Sequence, residues 1–307
     1  MSVLIHTVLP SEEGRTVREL LTARFAVSSS LRRELFRREG AILMNGRPVF
    51  LSSRAAAGDV LTVDVSDPPN SSAVVPVDFP LTVLWEDEHL LAVDKPAGIT
   101  VHGAALTEEA VTVAGAAAHY LGSAAVHVVN RLDRGTSGVM LIAKNSYMHA
   151  RCVELLHTEA FCREYRAVCE GIPSPAADVI DAPIGRDESS LLRRCVRADG
   201  QRAVTEYEVL SVSQGRALVH LLPHTGRTHQ LRVHMAHIGH PLSGDWLYGT
   251  EDKALISRPA LHSYTLRFTH PLTGEVVAVT APLPQDMARL MEAPEGRQGV
   301  IAPEHTS

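Results

Sequence analysis

Two apolar runs, Val126 to Val129 and Val139 to Ala143, read as buried strands, and the chain between them must turn within a polar, glycine-bounded connection. That connection reads Asn130-Arg131-Leu132-Asp133-Arg134-Gly135-Thr136-Ser137-Gly138. Rigid strands on both sides fix the position of Asp133, as a reactive side chain requires. An aspartate in a turn commonly does no more than accept local backbone hydrogen bonds. Here Arg131 and Arg134 flank it, and two guanidinium groups keep a half-buried carboxylate ionised or hold a phosphate. The segment therefore points to a functional carboxylate, with ion pairing and phosphate binding both open as roles for the arginines.

The remaining chemistry has to be assembled without obvious cofactor signatures. The 307 residues suffice for one large domain and a small one, and a 45% hydrophobic content excludes a wholly disordered chain. No apolar run approaches the roughly 20 residues that span a bilayer, and the first residues lack a basic segment followed by a long apolar one. A soluble, cytoplasmic protein without a membrane partner is expected. Cys152, Cys162, Cys169 and Cys195 show no Cys-x-x-Cys spacing and read as reduced core residues. A net charge of −6 argues against a protein that coats nucleic acid indiscriminately, so any contact with RNA or DNA must come from local basic patches.

Such a patch lies near the start. Leu20, Leu21 and Phe25 recur at helical spacing, Ser28 to Ser30 cap a second helix from Ser30 to Arg38, and Met44-Asn45-Gly46-Arg47-Pro48 forms a turn between short strands. The second helix carries Arg32, Arg33, Arg37 and Arg38, interleaved with Glu34 and Glu39, a pattern that suits a phosphate backbone or a merely solvated face. Residues 1–65 read as an independent module, 66–80 as a Pro/Ser/Asn-rich linker, 81–291 as the large domain and 292–307 as a loose tail. At the head of the large domain, Val83 to Gly98 reads as two strands joined by a charged turn and stopped by Pro96-Ala97-Gly98.

A second dense segment runs from His224 to Pro241 and reads as a loop entering a helix. Arg227, Arg232 and the Gln230 amide make anion donors there, aided by a helix N-terminus. Its five closely spaced histidines invite a metal, yet no His pair stands at i, i+4 and no cysteine pair is near, so packing or hydrogen bonding is the expected role and no metal site is assigned. Phe161 to Gly171 alternates like a strand, with Tyr165, Ala167 and Cys169 on one face. Tyr165 there is ordinarily core, with a flat ring for stacking and a phenolic oxygen for proton exchange as its functional options. No dinucleotide fingerprint, phosphate loop or nucleophile elbow is present.

Taken together, these segments resemble the RluA-like family of pseudouridine synthases, in which His-Arg-Leu-Asp-x-x-Thr-Ser-Gly holds the nucleophilic aspartate. The likeness continues through Asp94 to Gly98, Arg163-Glu164-Tyr165, Pro183 to Arg186, Thr225 to His234, His237 to Asp245 and Leu261 to Tyr264. Residues 13–65 also look like the alpha-L RNA-binding module of bacterial ribosomal proteins. The resemblance implies an α+β fold with a mixed, mainly antiparallel central sheet, preceded by a small α/β RNA-binding domain. It implies conversion of specific uridines to pseudouridine in structured RNA, ribosomal or transfer, with flipping of the target base and no cofactor, and nothing in the sequence demands more than a monomer.

By the same resemblance Asp133 is the nucleophile, attacking C1′ or C6 or steadying a cationic sugar. Arg227 pairs with it, Tyr165 stacks on the uracil, and Arg131 fills the space the base vacates. Lys95, Arg134, Arg32, Arg33 and Arg37 become backbone contacts. Asn130 stands where the family has histidine, which is expected to alter a local hydrogen bond without removing activity. The alternative function is a catalytically silent RNA-binding or ribosome-assembly factor on the same fold, disfavoured by the intact Arg131, Asp133, Tyr165 and Arg227.

Overall fold

The computed structural model describes residues 2–68, 74–103, 111–123, 125–156 and 158–292. The chain divides into two compact units, one of residues 1–163 with 263–281 and one of 164–262 with 282–307. The expected tail lies almost wholly outside the described residues, and so does the middle of the expected linker.

The first unit opens with β1 (Val3–Thr7), α1 (Val17–Phe25), α2 (Ser29–Arg37), β2 (Ile42–Met44), β3 (Arg47–Pro48) and β4 (Val60–Asp64), whose strands form a four-stranded sheet in the order β1-β4-β2-β3. Local chemistry sets the helix ends. Thr16 and Glu19 make a reciprocal capping box at the start of α1, and Ser28 Oγ accepts from Leu31 N at the start of α2. Leu20, Leu21, Leu35, Leu61 and Val63 are buried between helices and sheet.

The unit continues with β5 (Thr82–Glu86), β6 (Leu90–Lys95), α3 (Val113–Leu121), β7 (His127–Val128), β8 (Ser137–Ala143) and α4 (Ser146–Leu155). β6 lies antiparallel to both β5 and β8, and β7 pairs with the far end of β8. All seven residues of β8 are buried, as expected of a central strand. The expected Val126–Val129 strand is shorter than its apolar run, and β8 begins earlier, at Ser137. Gly138 is thus a strand residue rather than the end of the turn. Its φ is 112°, and a Cβ there would meet the Ser263 carbonyl oxygen at 2.1 Å. A glycine is required at that crossing.

The remaining elements are β9 (Phe161–Glu170), β10 (Ala177–Asp181), β11 (Ile184–Arg186), β12 (Arg194–Val196), β13 (Val204–Ser213), β14 (Arg216–Pro223), α5 (Gln230–His237), β15 (Leu261–Thr269), β16 (Val276–Thr280) and α6 (Gln285–Met291). In the second unit β10, β13, β14 and β9 are successive antiparallel neighbours, and β11 and β12 form a separate hairpin. Within the first unit β16 pairs antiparallel with β15. The architecture is α+β with a mainly antiparallel sheet. No helix among the described residues is long and apolar enough to cross a membrane.

Candidate active site

Asp133 lies half-buried in the loop between β7 and β8, and its carbonyl accepts from Thr136 N at 3.0 Å. The loop is fastened at both ends. At its start Val129 N donates to Leu141 O at 2.9 Å, and the buried Asn130 accepts from Leu141 N through Oδ1 at 2.8 Å. Its other end is held by Lys95, which sequence reasoning placed on the RNA backbone and which the structure assigns elsewhere. Lys95 is 0% exposed, and Nζ donates to the carbonyls of Pro96, Arg134 and Thr136 at 2.9, 3.2 and 2.8 Å. An ammonium sealed from solvent and spent on three carbonyls cannot reach a phosphate; it clamps the Asp133 loop to the end of β6.

The clamp is doubled by the neighbouring glycine. Gly98 N donates to Arg134 O, and Arg134 Nε donates back to Gly98 O, each at 2.8 Å. Arg131 is exposed. Burial and the Arg131 charge together push the imidazole of His102, in the turn after β6, below the usual histidine range, favouring its neutral form. His102 escaped the sequence reasoning because a lone histidine after a proline-glycine stop carries no local signal. Asp94, on β6 beside Lys95, is raised by burial, which the lysine charge only partly offsets. Asn130 keeps its backbone bond and leaves Nδ2 buried and without a hydrogen-bond partner.

In the second unit Tyr165 is buried on β9, opposite Leu221 of β14. Ala167 and Cys169 share its face and are also buried, so the alternation read from the sequence has the face correctly. Arg227 follows β14 in an exposed loop, where Nε donates to Arg202 O at 3.1 Å and Nη1 to Gln201 Oε1 at 3.0 Å. The loop itself is stitched down: Arg227 N and Thr225 Oγ1 both donate to Gln230 Oε1, while Gln230 Nε2 donates to Val204 O. The Gln230 amide is therefore a structural link and not the open anion donor expected.

Arg232 is the buried cation of this segment. Its guanidinium forms a two-pronged pair with the fully buried Asp245, both contacts 2.7 Å, and lies 5.0 Å from the centre of the Tyr248 ring. The clustered histidines serve as hydrogen-bonding groups: His229 Nδ1 with the Tyr248 hydroxyl at 2.8 Å, His234 between Thr205 and the Ala182 carbonyl, His240 with the Glu170 carbonyl at 3.0 Å. Among the described residues no group of three or more His, Cys, Asp or Glu side chains is arranged to hold a metal ion. The cysteines are free, but only Cys152 and Cys169 are core; Cys162 and Cys195 are half-buried, a correction to the expectation for all four.

On α2, Arg33 and Arg37 are exposed, and Arg32 is half-buried with Nη1 on Thr22 Oγ1 at 2.6 Å. Arg38, read with them as part of the basic face, instead turns its guanidinium onto the carbonyls of Asp64 and Ser66. Its charge is spent within the protein.

Comparison with known proteins identifies the family. A sequence model described as RNA pseudouridylate synthase matches residues 89–237. The Bacillus subtilis protein named Uncharacterized RNA pseudouridine synthase YlyB is 39% identical, over 83% of this chain and 86% of its own. Ribosomal large subunit pseudouridine synthase D of Xanthomonas campestris is 36% identical, over 95% of this chain and 93% of its own. The solved structure of Human RNA Pseudouridylate Synthase Domain Containing 4 superposes with a TM-score of 0.55 and 27% identity, covering 67% of this chain and 90% of that one. The chain belongs to the RNA pseudouridylate synthase family, in its RluA-like branch. It is an enzyme that isomerises uridine to pseudouridine in RNA.

Proposed function

We propose that the protein acts in the cytoplasm as a monomer on structured ribosomal RNA, with Asp133 as its nucleophile. The observation that carries the assignment of Asp133 is the pair of clamps on its loop, from Lys95 and from Gly98 with Arg134, which hold a half-buried carboxylate in one place. The ribosomal target is supported by the Xanthomonas relative, whose name specifies the large ribosomal subunit and whose length this chain nearly spans. The reaction breaks the bond from N1 to C1′, turns the uracil and joins C5 to C1′, so that C5 loses one proton, N1 gains one and no electrons are exchanged. A single placed carboxylate serves such a step by attack at carbon or by steadying a cationic sugar.

In this reading the target base leaves its stack, exposed Arg131 fills the gap, and Tyr165 lies against the uracil. The arginine that pairs with Asp133 in this reading comes from the segment after β14. Family likeness favours Arg227 for that role, Arg232 being committed to Asp245. Asp133→Asn abolishes tritium release from RNA carrying 5-tritiated uridine, with an unchanged circular dichroism spectrum. Turnover retained in that variant overturns the assignment. Arg227→Lys is assayed alongside, and turnover that falls while RNA affinity holds is expected of the carboxylate's partner.

A further inference from the structure

The edge of β8 opposite β6 is shared between two strands. Ile142 and Ala143, at its end, pair with β7, and its start is met by β15, where Ser263 Oγ donates to Val139 O at 3.1 Å. Leu141 lies at the changeover. Its carbonyl accepts from Val129 N at 2.9 Å, as in a continuing antiparallel ladder, but its N–H donates to the side chain of Asn130, whose Oδ1 accepts at 2.8 Å. A carboxamide oxygen thus occupies a rung that would ordinarily belong to the Val129 carbonyl. Asn130 is 4% exposed, and its Nδ2 is buried without a hydrogen-bond partner. A buried donor left unmet is a cost, and a leucine of similar size would avoid it while burying more apolar surface. The position therefore calls for the oxygen and tolerates the nitrogen.

Asn130 is followed directly by Arg131, Leu132 and Asp133, and the clamps from Lys95 and Gly98 act only beyond Asp133, at Arg134 and Thr136. We propose that Asn130 is a positioning residue for the isomerisation: its carboxamide oxygen stands in for a strand carbonyl, so the backbone is free to turn away from β8 while the near end of the Asp133 loop stays tied to it. The inference rests on Asp133 as the reacting carboxylate. A neutral group suits the task. An aspartate at this position would accept the same bond but add a second negative charge to the loop, which disfavours ionisation of Asp133. Without the Asn130 bond the carboxylate strays from its reacting position, and a displacement of about 1 Å costs on the order of a hundredfold in rate. A buried bond touches no RNA, so turnover falls and affinity does not.

The test uses the full-length protein and bulk RNA carrying 5-tritiated uridine, isolated from cells that lack the protein, with kcat and apparent KM read from tritium release. Asn130→Leu keeps the bulk and removes the acceptor. Its kcat falls about tenfold or more while KM and the circular dichroism spectrum hold. Asn130→His places an imidazole Nδ1 as many bonds from Cα as the lost oxygen; the neutral ring accepts from Leu141 N and the protonated ring cannot. The ratio of its kcat to the parent's is therefore near one at about pH 8 and falls as pH drops below about 6.5, the ordinary histidine value. His102, Asp94, Arg131 and Arg134 are common to both proteins, so the ratio removes their titration. A leucine variant that turns over at the parent rate overturns the proposal, and so does a histidine variant whose ratio does not change with pH. If the leucine variant does not fold, the histidine variant decides alone. Asp133→Asn inactive beside a fully active Asn130→Leu refutes this inference only, whereas turnover retained in Asp133→Asn refutes the reading beneath it.

Discussion

Lys95 decides how the reactive loop is held, and its role is the residue-scale result least legible beforehand. Its motif was conspicuous, but lysine is almost never fully buried, so a surface contact was the natural expectation. The signal lay in the strand pattern: Leu90 to Val93 are buried, Asp94 is half-buried and Lys95 returns to the interior as the last residue of β6. Lys95→Met removes the cation while keeping the length of the chain and leaves the Thr136 carbonyl without this donor. A loss of roughly 3 kcal/mol in unfolding free energy, read from urea melts, is expected. Tritium release falls in the folded variant, because the loop that carries Asp133 loses one of its two fastenings. Asp133 itself stood out in the sequence because its arginine neighbours and flanking strands are local. The partners of the loop were not legible, since Lys95 and Gly98 come from a distant segment.

Among the elements, β9 and α5 were read well and β7 and β8 less so. Alternation in β9 and the turn-to-helix composition around α5 are properties of contiguous residues. The early start of β8 depends on Ser263, far along the chain, whose close approach makes Gly138 part of a strand. Helix α5 carries a pH dependence. His234, wholly buried, is pushed below the usual histidine range by burial, which its bond with the Ala182 carbonyl only partly opposes. The unfolded chain takes up a proton near pH 6.5 where the folded chain does not, so unfolding stability is full above about pH 6.5 and declines as pH falls below it. His89, His102 and His149 are shifted in the same direction. Urea melts between about pH 7.5 and 5.5 show a smaller decline for His234→Gln than for the parent; equal declines would assign the acid sensitivity to the other three.

At the scale of the whole molecule, composition and linker chemistry point to a small front region and a larger remainder, but the chain divides at residues 163 and 164. That division falls inside β9, where no change of composition marks it. Nor did the sequence show how closely the front region is bound to the first unit. The buried Tyr147 hydroxyl on α4 donates to the Phe25 carbonyl at the end of α1 at 2.6 Å, and burial pushes its pKa up to about 12. Asp67 accepts from Ser146 N at the start of the same helix and from His127 at 2.6 Å. Tyr147→Phe keeps the ring and deletes only the hydroxyl. It lowers unfolding free energy by about 1 kcal/mol in urea melts, and a broadened or biphasic transition would show that the front region melts apart from the rest of its unit.

Three lysines occur in the chain, at positions 95, 144 and 253. Lys95 is sealed and Lys144 is drawn onto Glu86, which leaves the Lys253 ammonium, 72% exposed, as the lysine amine presented to reagents. Attachment to a surface or a dye through lysine therefore falls in the turn before β15, leaving the Asp133 loop unmodified.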